Sequence, residues 1–249
     1  MTAVPVALEL YTVRDELGRD FRDTLRRIAA MGYAGVEGGR YPHVSAPELK
    51  ELLDGLGLRT PATLVGLDAL ENDLDGAIDD ALTVGASYLI LSWLDPERYS
   101  APNLLALAER LNAVGHRCRE RGLTFGYHNH AGEFARQDGA YALDRLLDAT
   151  APSLVALELD VYWAAYGGAD PATYLRERAG RVPLVHLKDM DADRRWAEVG
   201  DGTLDLPAIF AAAEAGGAQW YIVEHDKPTM PALESARRSL ENLRAMGKV

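Results

Sequence analysis

The chain has almost no cysteine. Cys118 stands alone among 249 residues, so no intrachain disulfide can form and a reducing compartment is expected. Cys118 falls inside a run with helical spacing and is read as a packing residue rather than a nucleophile. Long apolar runs are also missing. None approaches the ~20 residues that cross a bilayer, and the opening MTAVPVALELY lacks the basic start and extended apolar core of a signal peptide. A soluble, cytoplasmic protein with no membrane partner is therefore expected. Positive charge is scarce, with 26 Lys and Arg against 38 Asp and Glu and a formal net charge of −12. Phosphates would be repelled on approach and no basic run is present, which argues against nucleic acid as a partner. No G-x-G-x-x-G follows the first strand and there is no P-loop, so the common nucleotide-binding frameworks are absent. No linker or low-complexity tract divides the chain, and one domain over 1–249 is expected.

What is present is a repeated unit of apolar strand, polar loop and helix. The strands read as VALELY, YAGVEGG, LRTPATLVG, SYLILSWL, LTFGYHNH, LVALELDVYW, VPLVHLKDM and WYIVEHD; Pro61 makes the third the weakest. Helices are predicted over Phe21–Met31, Ala46–Leu56, Asn72–Val84, Pro102–Arg121, Gly139–Ala149, Asp170–Arg178, Pro207–Ala215 and Pro231–Met246. Their stop and start signals include Gly32, Ser45 with Pro47, and Gly122. Alternating strands and helices imply a parallel sheet. Eight units in this length suit a closed (β/α)8 TIM barrel as an α/β single domain.

Several strands end in residue types that hold metals. In VPLVHLKDM an apolar run turns polar at His186 and Lys188, two residues apart and therefore on one face. The fifth strand offers His128 and His130, the sixth Glu158 and Asp160, and the eighth Glu224 and Asp226. Parallel barrels place their active sites at this end of the strands. One ligand from each of four strands would hold a divalent ion on the barrel axis; imidazole and carboxylate donors suit Mn, Co, Zn or Fe, with Mg kept open. Such an ion polarises a carbonyl and acidifies the neighbouring C–H of a sugar-like substrate. A carboxylate or imidazole takes the proton, and the resulting enediolate spreads its charge over the ion and Lys188. Proton return isomerises or epimerises; loss of a β-hydroxyl dehydrates. A buried polar network without metal is the competing account of the same residues.

At these residues the chain resembles the sugar phosphate isomerase/epimerase group of the xylose isomerase-like TIM barrels. The matching pieces are LYTVRDEL at Leu10–Leu17, YAGVE at Tyr33–Glu37, YHNHAGEF at Tyr127–Phe134, LDVYW at Leu159–Trp163, GRVPLVHLKDM at Gly180–Met190, EVGDGTLD at Glu198–Asp205 and YIVEHD at Tyr221–Asp226. The resemblance implies a metal site of Glu, Asp, His and Glu, carried here by Asp160, His186 and Glu224, with His128 at the position of the missing first Glu. Where relatives read E-N-H, this chain reads His128-Asn129-His130, so His130 or Glu133 stand as alternative completions of the site. Trp163 and Leu64 stand where relatives often carry histidines. Glu224, His130 and Lys188 are the expected catalytic groups. Tyr11, Arg14, Glu37, Trp163 and Glu133 are expected to contact substrate, with Trp93 and Trp196 as further candidate walls. A phosphate cradle at Gly200 and Gly202 is disfavoured by Asp201 between them.

The resemblance implies a metal-dependent isomerase or epimerase of a sugar or keto-sugar. The missing Glu keeps open a one-base lyase that dehydrates an inosose or eliminates from a 3-keto-glycoside. An apurinic endonuclease and a non-catalytic sugar-binding barrel are further alternatives. A small-molecule sugar is the expected partner, and self-association into a homo-oligomer is left open.

Overall fold

The computed structural model describes residues 3–99 and 101–249. Eight parallel strands follow one another along the chain: β1 (Val6–Glu9), β2 (Gly35–Glu37), β3 (Ala62–Val65), β4 (Tyr88–Leu91), β5 (Thr124–His128), β6 (Val155–Asp160), β7 (Leu184–Leu187) and β8 (Trp220–Val223). In space they lie in the order β2-β1-β8-β7-β6-β5-β4-β3. The two ends of that order meet through two bridges, Gly35 with Arg59 and Gly38 with Thr63. The Val36 N–H donates to the Arg59 carbonyl at 2.8 Å and the Leu64 N–H to the Gly38 carbonyl at 2.9 Å. The alternation thus closes into the (β/α)8 barrel that its pattern predicts.

The period of two decides what each strand residue does. Ala7, Ala62, Tyr88, Ile90, Ala156, Leu184 and Ile222 form one cluster inside the barrel. Their neighbours in sequence, among them Leu8, Leu89, Phe125, Leu157, Val185 and Val223, join the larger cluster between barrel and helices. Burying each such Leu or Val side chain contributes ~1.5–3 kcal/mol. Space inside is tight enough that a Cβ at Gly126 would sit 2.5 Å from Ile90 Cδ1. Two residues further along the inner face, the apolar set gives way to Glu9, Glu37, His128, Glu158, His186 and Glu224, all buried. The fold thus turns six polar side chains inward at the C-terminal end of the strands.

Most predicted helices form where their capping signals lie. Phe21–Met31 is opened by the Asp20 carboxylate, which accepts from the Asp23 N–H, and is closed by Gly32 at φ 98°. Ala46–Leu56 starts with the capping box of Ser45 and Glu48. Ala101–Glu120, Pro171–Glu177, Leu206–Ala215 and Ala232–Ala245 match expectation to within one residue at each end.

Three expectations need correction. The helix expected over Asn72–Val84 begins at Leu74, and a short helix that was not expected, Leu67–Asn72, precedes it. The one expected from Gly139 begins at Ala142, because Gly139, at φ 88°, turns a short hairpin of Arg136–Gln137 with Ala140–Tyr141. The sixth strand does not run through Trp163. It ends at Asp160, whose Oδ1 accepts from the Trp163 N–H at 2.8 Å and caps the helix Val161–Tyr166. No helix among the described residues is long and apolar enough to cross a membrane.

Candidate metal centre

Four strands deliver four side chains to one point. His128 ends β5, Asp160 ends β6, His186 lies in β7, and Glu224 follows β8. One ligand-type atom from each lies within 4.8 Å of those from the other three, and all four residues are buried. A second group, Glu37, Glu158 and His186, meets the same distance limit and shares His186 with the first.

These residues fit a cation better than they fit one another. Glu158 Oε1 and Glu37 Oε1 are buried and accept no hydrogen bond, and Asp160 Oδ2, also without one, has the Lys188 ammonium 3.2 Å away. A carboxylate oxygen withdrawn from water without a donor costs on the order of 1–3 kcal/mol, and more when it is ionised. Donors that mix imidazole with carboxylate suit divalent first-row metals. The cluster could therefore bind a divalent metal through His128, Asp160, His186 and Glu224.

Electrostatics around the cluster are dominated by Lys188. Its ammonium is buried and lies 3.2 Å from Asp160 Oδ2, 3.0 Å from Glu224 Oε2 and 2.9 Å from Asp226 Oδ2. Burial opposes its charge, yet Asp160, Glu224 and Asp226 together hold the pKa above the ordinary lysine value. Burial likewise works against ionised Glu224, but Lys188 and His186 hold its carboxyl well below the usual range. His186 is raised well above the usual imidazole value: burial disfavours the cation, and the Glu158 and Glu37 carboxylates outweigh it. Its Nδ1 lies 2.9 Å from Glu224 Oε2 and its Nε2 2.6 Å from Glu37 Oε2. Asp226 is pushed up to about 6 by burial and by Glu224. His130 is pushed down to about 3 by burial and by His128, so it stands as a neutral base, and its buried Nδ1 has no hydrogen-bond partner.

Glu9 is a member of this inner layer that sequence reasoning missed. Burial first, and Glu224 next, push its carboxyl up to about 8. In the metal-free protein it holds a proton at neutral pH, whereas an unfolded glutamate ionises near 4.5. A raised folded-state pKa stabilises fully below the unfolded value, and that contribution is lost as pH climbs through the folded value. Glu9→Gln is therefore expected to leave the melting temperature of chelator-treated protein near wild type at about pH 5 and to raise it at about pH 8.5. Thermal melts at the two pH values check this; a variant no more stable than wild type in the alkaline buffer refutes it.

The remaining expected site residues separate into rim and support. Tyr11 is half exposed at the end of β1, with the Arg14 guanidinium 4.1 Å from its ring centre. Arg14 also donates to the Asp226 carbonyl at 3.0 Å, tying the first loop to the last. Trp163 stands over the mouth, its ring 5.6 Å from that of His130 and 5.4 Å from Lys188 Nζ, and Trp196 packs edge-on to it at 6.1 Å. Trp93 is exposed.

Two expected substrate contacts are corrected. Glu37 is wholly buried against His186, below the mouth. Glu133 is wholly buried too, accepting from the Tyr127 hydroxyl on one oxygen and from the His130 N–H on the other, so it clamps the end of β5 and does not reach in as a ligand. The glycine loop is likewise spoken for. Asp189 accepts from the N–H groups of Gly200 at 2.9 Å, Gly202 at 3.2 Å and Leu204 at 3.2 Å, while Asp201 turns outward to Arg238. A cavity of about 420 Å³ lies elsewhere, outside the barrel, lined by Leu53, Thr63, Val65 and Ala81 among others, and none of the four clustered side chains lines it.

A parallel eight-stranded barrel with a buried imidazole–carboxylate cluster at the C-terminal mouth is the architecture of a class of small-molecule enzymes. Within it, the chain belongs to the family described as xylose isomerase-like TIM barrel, whose model matches residues 25–246. It is 29% identical over 246 residues to an inosose dehydratase of Geobacillus kaustophilus, covering 82% of this chain and 79% of that protein. It is 28% identical to the rhizopine catabolism protein MocC of Rhizobium meliloti, covering 93% of this chain and 83% of that one. Among solved structures, a sugar phosphate isomerase/epimerase of Parabacteroides distasonis superposes with a TM-score of 0.85 at 26% identity, covering 100% and 96% of the two chains. Members of the family are enzymes, and sugar-like small molecules are their typical substrates.

Proposed function

We propose that this chain is a divalent-metal-dependent dehydratase of a polyhydroxylated cyclic ketone, an inosose or a keto-sugar. The observation that carries the proposal is the convergence of His128, Asp160, His186 and Glu224 beside the buried Lys188 ammonium. A bound Mn, Co, Zn, Mg or Fe ion supplies Lewis-acid polarisation of the substrate carbonyl there. The side chains do the rest. Glu224, held ionised by Lys188 and His186, takes the proton from the carbon beside the carbonyl. Lys188 stabilises negative charge growing on the carbonyl oxygen. The β C–O bond then breaks, and the departing hydroxyl leaves as water with the proton that Glu224 has taken up. Atoms balance: one C–H and one C–O bond are lost, and one C=C bond and one water are made.

Elimination needs one base, which suits a cluster whose other carboxylate, Asp160, is committed to a helix cap. Similarity to inosose dehydratases supports the same outcome. Likeness to a sugar phosphate isomerase/epimerase supports a second reading, in which the proton is returned to carbon and the substrate is epimerised or isomerised without loss of mass. In either case an unphosphorylated substrate is favoured, because Asp189 occupies the N–H groups of the glycine loop. The net charge of −12 favours a small molecule over nucleic acid.

The test is NMR of an inosose and a panel of keto-sugars with metal-loaded protein in D₂O. Replacement of the α-hydrogen by deuterium together with loss of one water supports the dehydratase. Exchange with retained mass selects the second reading. Absence of exchange under every divalent metal tried sinks both.

A further inference from the structure

The proposed site would grip a cation with few negative charges of its own. Two of its four side chains are imidazoles, and Lys188 lies within 3.2 Å of oxygens on both carboxylates. Below the imidazoles sit two more carboxylates. Glu158 Oε2 is 3.1 Å from His128 Nδ1 and 3.2 Å from His186 Nε2, and Glu37 Oε2 is 2.6 Å from the same Nε2. Both glutamates are 0% exposed, so substrate in the mouth does not reach them.

We infer that Glu158 and Glu37 are positioning residues that fix which nitrogen of His128 and His186 faces the ion, and that Glu158 supplies negative charge of the kind that Lys188 offsets. The inference rests on the metal-site reading above. A neutral imidazole has one N–H and one lone pair. A nitrogen that donates its proton to a carboxylate cannot also coordinate. With Nδ1 of His128 donating to Glu158, the lone pair is on Nε2. With Nε2 of His186 donating to Glu37, the lone pair is on Nδ1, which lies 2.9 Å from Glu224 Oε2 and so beside another ligand. A carboxylate behind an imidazole also makes the ring a stronger donor.

Cost argues in the same direction. Leu64 and Ile90 are neighbours on the inner face, so apolar side chains are accommodated there. Two buried carboxylates are expensive beside them unless their charge is used. Glu9 does not share the task, because one of its oxygens accepts from the Tyr11 N–H and neither contacts an imidazole at hydrogen-bond distance.

The test measures Co²⁺ affinity by competition with a chromophoric chelator, and the visible spectrum of the Co²⁺ protein. E158Q keeps the size of the side chain and an oxygen that accepts from His128, but loses the charge; E158L loses both. Co²⁺ binding is expected to weaken roughly 10-fold in E158Q and in E37Q, and roughly 100-fold in E158L. The ligand-field bands should shift in E158L and stay near wild type in E158Q. A merely structural role would lower melting temperature without changing the Co²⁺ affinity of folded protein. Should E158L fail to fold, E158Q and E37Q carry the test. Wild type that binds no Co²⁺ overturns the metal-site reading, and this inference with it. Wild type that binds, with E158Q and E37Q within about twofold of it, overturns the positioning role alone.

Discussion

Asp160→Asn is expected to release the metal while leaving the barrel folded. Asp160 has two separable tasks. Its Oδ1 caps the helix Val161–Tyr166, and its Oδ2 accepts no hydrogen bond while facing the cluster. Asparagine caps a helix about as well as aspartate, so the first task survives. The second does not, because an amide brings no charge to a cation. Removing a ligating charge exceeds the roughly 10–100-fold loss typical of outer-shell partners, so retention should fall on the order of 100-fold or more. Lys188 keeps Glu224 and Asp226 as partners, which limits the stability cost to about 1–2 kcal/mol in metal-free protein. Elemental analysis after dialysis, beside thermal melts, separates the two tasks. Unchanged metal content would show that Asp160 is only a cap. His186→Ala should also lose the metal, but it leaves Glu37, Glu158 and Glu224 without the imidazole between them, so its melting temperature should fall much further.

How much of this site could be read from the chain depended on whether a side chain acts along its own strand or across to another element. VPLVHLKDM shows its alternation openly, so His186 and Lys188 could be placed on one face before any coordinates. Asp160 and Glu224 follow from the same period in their own strands. LVALELDVYW misled because its last three residues, apolar and aromatic, extend a strand pattern, whereas the cap that ends the strand is a single bond from Asp160 to the Trp163 N–H. Glu133 lies three residues beyond His130 in a loop with no period to orient it, and its inward clamp on Tyr127 is a tertiary contact. Glu9 is legible in principle, being two residues after Ala7 on the inner face, but VALELY sets no second ligand-type residue beside it to mark the strand end. Asp189 gave no signal of its loop-holding role, since its partners Gly200, Gly202 and Leu204 lie 11 to 15 residues further along.

Lys188→Met is expected to bind metal more tightly than wild type and to turn over substrate far more slowly. Methionine matches the length of the buried stem and removes the ammonium. That ammonium competes with a cation for Asp160 and Glu224, from 3.2 Å and 3.0 Å. At an effective dielectric constant of about 20, one charge at ~4 Å is worth ~4 kcal/mol before solvent and relaxation reduce it, so a gain in affinity of about 10-fold is a conservative expectation. Turnover should move the other way, by on the order of 100–1,000-fold, the range seen when one group that stabilises a developing oxyanion is removed. Stability should reveal the same charge. Metal-free variant leaves three carboxylates facing one another, at a cost of about 3–5 kcal/mol near neutral pH. Glu224, held below its ordinary value in wild type by Lys188 and His186, stabilises above the unfolded pKa and loses that contribution as pH falls through the folded one. The variant's deficit should therefore shrink in acid, because without Lys188 the Glu224 carboxyl can take up a proton that it does not hold in wild type. Calorimetric metal titration, steady-state rates and melts at about pH 4 and pH 7.5 read the three effects separately. Weaker metal binding in the variant would mean that Lys188 holds Asp160 and Glu224 in place for the cation instead of competing with it, and the ammonium would then be a structural strut of the mouth.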